Sequence, residues 1–163
     1  IVTMNDMGKF ILLHFPSEWI PPFINDLLFQ IQLMGLIPII AHPERNLKVI
    51  QSPDLVYQLA KQGVLIQITS DSILGYFGKQ ARQTCEKLIK HNLVHLVASD
   101  SHFPKQFSLQ QSLKTVSHWV GEEKALKLFT ENPQKILRGE DLKPDELTKS
   151  LPFPLSLSLD GGG

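Results

Sequence analysis

Two polar bursts have the residue types and spacing to do chemistry. Ile37-Pro38-Ile39-Ile40-Ala41 runs into His42-Pro43-Glu44-Arg45, and Val94-His95-Leu96-Val97-Ala98-Ser99 runs into Asp100-Ser101-His102. Histidine with carboxylate is the ligand chemistry of Zn²⁺, Mn²⁺ or Fe²⁺. In Asp-x-His the alternation of an extended chain points Asp100 and His102 the same way, so both can reach one ion or bridge two. Pro43 biases His42 toward an extended backbone. Arg45 lies one turn further on, and its planar fork suits two oxygens of a phosphate. Together these residues predict part of a metal-dependent hydrolase.

Such tips need elements to carry them. An apolar run bounded by turn residues reads as a strand buried on both faces, and α/β sheets keep their chemistry at the carboxyl ends of such strands. Strands are expected at 10–13, 36–41, 64–68 and 93–98. Helices are expected at 23–34, 53–62 (with Ser52 as N-cap), 78–91, 109–120, 122–130 and 133–137, with Asn92 ending the third. Strand-helix alternation with short links means a parallel sheet with right-handed crossovers. All carboxyl ends then fall on one side. His14, His42 with Glu44 and Arg45, Thr69 with Ser70, and Asp100 with His102 are expected to converge there.

Other residues read differently. His91, His95 and His118 fit structural roles, two on helices and His95 inside a strand. Glu44 reads as a helix-start residue or a support behind the ligands. Thr69, Ser70, Asp71 and Ser72 are explained equally well as phosphate contacts or as an N-cap cluster. Cys85 lies in a helical pattern and reads as a buried thiol.

Composition bounds the partners. The 163 residues suffice for one domain, and 42% hydrophobic with 20% charged residues is an ordinary globular balance. Sixteen basic and sixteen acidic side chains give zero net charge, so nucleic acid is a poor candidate partner. A single cysteine fits a reducing, cytoplasmic setting. No apolar run reaches the about 20 residues needed to span a bilayer, and the opening six residues do not read as a signal peptide. The first residue is not methionine, which leads us to expect a fragment of a longer chain. From 141 onward prolines, Leu/Ser alternation and three terminal glycines suggest a disordered tail.

The runs GLIPIIAHPERN (35–46) and LVHLVASDSH (93–102) resemble the PHP, or polymerase and histidinol phosphatase, superfamily. They look most like its bacterial manganese-dependent protein-tyrosine phosphatases, found with capsule and exopolysaccharide genes. Gln67 to Ser70, Gly75 to Gln80, and Asn5-Asp6 with Gly8-Lys9-Phe10 share that likeness, which extends over 1–140. The resemblance implies a distorted (β/α)₇ barrel carrying a metal cluster, with His42, Asp100 and His102 as metal ligands and Arg45 as the catalytic grip on phosphate. His14 falls where this branch usually has Glu and other members have His, which implies a fourth ligand. Lys105 stands near where relatives place a second arginine, and would contact substrate as a point charge, with Ser70 a further phosphate contact.

The family opens with a His-x-His strand, a further histidine and a bridging glutamate, motifs this sequence does not contain. It therefore reads as about four of seven β/α units plus C-terminal helices, with two open strand edges, and is expected to hold one ion weakly. The implied activity is hydrolysis of phosphotyrosine in proteins, a bacterial tyrosine kinase being one candidate substrate. Attack by a metal-activated hydroxide, with Mn the first candidate and Fe or Zn the others, needs no cysteine. The alternatives are a histidinol-phosphatase-like small-molecule phosphoesterase, or a non-catalytic remnant or binding module.

Overall fold

The computed structural model describes residues 8–99, 106–142 and 145–147. Four strands, β1 (Phe10–His14), β2 (Ile37–Ala41), β3 (Leu65–Thr69) and β4 (Leu96–Ala98), form a parallel sheet in the order β1-β2-β3-β4. Between and after them lie α1 (Ile24–Leu33), a 3₁₀ turn at Pro43–Arg45, α2 (Leu47–Gln51), α3 (Asp54–Lys61), α4 (Ser70–Leu74), α5 (Lys79–Lys90), α6 (Gln106–Val120), α7 (Glu122–Leu126), a π-turn at Lys127–Glu131 and α8 (Asn132–Leu137). The α/β class and the parallel sheet are those read from the sequence.

The sheet is buried on both faces because adjacent strand residues point opposite ways. Ile40, Ile66 and Ile68 join the larger core, to which α1 contributes Ile24 and Leu28 and α5 contributes Cys85, Leu88 and Ile89. Phe10, Ile39, Leu65 and Leu96 form a second cluster against Ile136 of α8. Removing several hundred Å² of apolar surface from water at about 25 cal/mol per Å² makes these two clusters the main stabilising term. Register then aligns the tips: His14 pairs with Ala41, Ala41 with Gln67, and Thr69 with Ala98. His14 is an even number of residues from Phe10 and Leu12, so it shares their face at the carboxyl end.

Three local readings are corrected. The strand expected over 93–98 starts at Leu96, because the Leu93 N–H closes the end of α5 on the Leu88 carbonyl at 3.0 Å. Ser52 makes no side-chain cap: the N-cap position of α3 falls to Pro53, which has no side-chain acceptor, and the Ser52 carbonyl takes the Leu55 N–H at 3.1 Å. The last two expected helices are linked by the π-turn, where Pro133 supplies no N–H to a regular α ladder. Past residue 140, Asp141 pairs with Lys9 at 2.8 Å, and Leu142 and Leu147 pack on the two cores. The rest of the expected tail lies outside the described residues. No helix among those described is long and apolar enough to cross a membrane.

Candidate active site

The site is built at the β2 tip. The His42 N–H extends the ladder onto the Gln67 carbonyl at 2.8 Å, and its own carbonyl accepts from the Arg45 N–H at 3.2 Å. Meeting both bonds puts His42 in the left-handed region, at φ 39° and ψ 50°, not in the extended conformation expected before proline. Such a conformation costs about 1–3 kcal/mol and persists where surrounding bonds over-determine it. Here it turns the chain sharply enough to bury Glu44 and place Arg45 beside the histidine.

His14 and His42 are brought together. Their Nδ1 and Nε2 atoms lie 2.9 Å apart, with ring centroids at 4.9 Å and planes inclined by 55°. In the structure this contact is a hydrogen bond between the two rings, with the donor set by their tautomers. The same two nitrogens are donors of the type a divalent cation takes, and both would be available to one if it displaced the shared proton. Among the described residues no group of three or more His, Cys, Asp or Glu is arranged to hold a metal. Asp100, His102 and Lys105 lie outside the described residues.

Arg45 is held from two sides. Its Nη2 donates to Thr69 Oγ1 at 2.7 Å and its Nε to Ser72 Oγ at 3.3 Å. The Phe77 ring lies over the guanidinium, 3.6 Å from centroid to Cζ, a cation–π arrangement. Gly75 and Gly78, at φ 89° and 97°, turn the chain after α4 so that Phe77 comes back over Arg45. Below them, fully buried Glu44 accepts through Oε1 from both the N–H and the hydroxyl of Thr69, each at 3.1 Å. Burial pushes the Glu44 carboxyl above its ordinary 4.5, opposed by hydrogen bonds and by Arg45.

His42, Arg45 and Phe77 line a cleft of about 420 Å³, with Phe15, Leu47, Ile50 and Ala81 as apolar wall. Ser70 is fully buried at the start of α4, and its hydroxyl meets that of Ser108 on α6 at 3.2 Å; it is not among the residues facing the cleft. The sequence reading gave Phe77 no role of its own; the only signal there is an aromatic pair, Tyr76-Phe77, set between Gly75 and Gly78. Cys85 is buried on α5, and desolvation raises its thiol well above the ordinary range, which leaves it inert. His95 is structural: its Nδ1 accepts from the Ile66 N–H at 3.0 Å, and burial lowers its pKa to about 4.

Residues 1–138 match the family described as capsular polysaccharide synthesis, CpsB/CapC. The chain belongs to the CpsB/CapC family. Among curated relatives, tyrosine-protein phosphatase YwqE of Bacillus subtilis is 40% identical over 144 residues, covering 87% of this chain and 56% of the relative. Tyrosine-protein phosphatase CpsB of Streptococcus agalactiae is 32% identical over 150 residues, covering 85% of this chain and 60% of the relative. The fold aligns, with TM-score 0.84 and 38% identity, to a structure reported among those of YwqE from Bacillus subtilis and CpsB from Streptococcus pneumoniae, unique metal-dependent tyrosine phosphatases. That alignment covers 90% of this chain and 60% of the other. The chain thus spans little more than half the length of the CpsB/CapC relatives it matches.

Proposed function

We propose that this chain carries part of the active site of a metal-dependent phosphatase acting on phosphotyrosine in proteins. The observation that carries the reading is the pair of imidazole nitrogens 2.9 Å apart, the His42 member of which lines one cleft with a hydroxyl-held guanidinium. His14, His42, Asp100 and His102 are the proposed ligands, with Mn²⁺ the first candidate ion and Fe²⁺ and Zn²⁺ the others. When bound, such a cation supplies an acidified water as nucleophile and neutralises charge on the phosphoryl group.

The protein's own residues do the rest. Arg45 grips two phosphate oxygens and stabilises charge as it develops. Lys105 is the further proposed contact; Ser70, fully buried against Ser108 and away from the cleft, is not. The apolar wall of Phe15, Leu47, Ile50 and Phe77 suits a phenyl ring whose phosphate points at Arg45, which favours an aryl phosphate over a small polar one. The enzyme is read as cytoplasmic, and a bacterial tyrosine kinase is the candidate substrate.

The test is hydrolysis of a phosphotyrosine peptide against histidinol phosphate, with Mn²⁺ and with a chelator. The peptide is the expected substrate. His42→Ala and Arg45→Ala are each expected to lower kcat/KM by about a hundredfold or more, while Cys85→Ala retains activity. Activity indifferent to chelator or to His42→Ala would overturn the reading.

A further inference from the structure

Arg45 is a long, flexible side chain at the wall of an open cleft, and a loose guanidinium makes a poor two-point grip. Its surroundings remove that freedom in one direction only. The Thr69 hydroxyl has one proton, and Glu44 Oε1 stands 3.1 Å away to accept it while also taking the Thr69 N–H. With that proton committed, Thr69 Oγ1 presents lone pairs to Arg45 Nη2 at 2.7 Å and to the Ser72 hydroxyl at 2.8 Å. Ser72 Oγ accepts from Arg45 Nε at 3.3 Å, and its own proton is directed inward, to Thr69 or to the Glu44 carboxyl. Every hydrogen in the chain points from the guanidinium toward the buried carboxyl. Phe77 closes the open face.

Glu44 is an expensive residue for mere packing. It is fully buried, and its Oε2 has no hydrogen-bond partner among the described residues. A half-satisfied buried carboxyl costs stability, and an apolar residue of similar volume would fill the same space. An apolar residue would not, however, order the two hydroxyls.

We propose that Glu44, acting through the Thr69 hydroxyl, is a positioning residue that fixes the plane of the Arg45 guanidinium for an incoming phosphate. The inference rests on the reading of Arg45 as the phosphate grip. Thr69→Val keeps the side-chain shape and removes the relay. Glu44→Met removes the acceptor at similar volume. Thr69→Ser restores the hydroxyl.

Two measurements on the full chain decide it. Calorimetric affinity for a phosphotyrosine peptide is expected to fall about tenfold in Thr69→Val and in Glu44→Met, the size of one charge-assisted hydrogen bond, and to recover in Thr69→Ser. In an Arg45→Ala background neither change should weaken binding further, because the effect travels through Arg45. The ¹⁵N signal of Arg45 Nε–H is expected to report a rigid group in the native protein and an averaged one in Thr69→Val. Should Arg45→Ala bind the peptide as well as the native protein, the phosphate-grip reading fails, and the Nε signal still decides the positioning. A rigid Nε signal in Thr69→Val, or an undiminished effect without Arg45, overturns the proposal.

Discussion

His42 sits where three demands meet: a ladder bond to Gln67, a turn bond to Arg45, and a ring nitrogen 2.9 Å from His14. Its identity and place after a buried strand were legible in the sequence. Its left-handed backbone was not, because the partner that enforces it comes from β3, 25 residues away in the chain. Arg45 was legible as a planar fork, whereas Phe77 over its face depends on two glycine torsions that no residue type announces on its own. His95 shows the opposite case, a histidine whose role is stability alone. Burial lowers its pKa from 6.5 to about 4, so the folded state prefers the neutral ring. The sign follows: this contribution is complete above pH 6.5 and is lost as pH falls toward 4, amounting to about 3 kcal/mol across that window. Urea unfolding at pH 7 and pH 4.5 is expected to show a smaller difference for His95→Asn, which keeps an acceptor for the Ile66 N–H but does not titrate. An unchanged difference would assign the acid sensitivity elsewhere.

Among the elements, the strands were readable as short continuous apolar runs between turn residues, and the long helices because apolar spacing of 3.6 persists long enough to register. The helices α2 and α4 have five residues each, too few for a period to show. Both are set by tertiary bonds, and Asn46 is the clearest instance. Its Oδ1 caps α2 by accepting from the Lys48 and Val49 N–H groups at 2.9 and 3.2 Å. Its Nδ2 donates to the Pro16 and Trp19 carbonyls at 2.7 and 2.9 Å, fastening the segment after β1 against the cleft. Asn46→Ala removes both functions and is expected to cost about 2–3 kcal/mol in thermal or urea unfolding. Asn46→Asp keeps the cap, loses the donors, and is expected to fall between the native protein and Asn46→Ala. Equal losses in the two variants would mean that the cap contributes nothing.

At the scale of the molecule, the parallel sheet is the device that gathers distant residues. β1 brings His14, β2 brings His42 and Arg45, and β3 brings Thr69, all to the same end through a register fixed by the cores beneath. That convergence was readable from topology alone, since parallel strands have no other way to dispose their tips. Among the described residues β1 and β4 are the outer strands, as expected of an open portion of a barrel. What the sequence could not convey is distance: nothing in the residue order says that two imidazoles 28 positions apart meet at hydrogen-bonding range. A shared cation is the chemical meaning we give to that meeting. Titration of the protein with Mn²⁺, followed by the electron paramagnetic resonance of the free ion, tests it most directly. The expected result is saturable binding that His14→Ala and His42→Ala each weaken at least about tenfold, since loss of even an outer partner of a ligand has that effect. Equal affinity in the native protein and in the double variant would contradict the account.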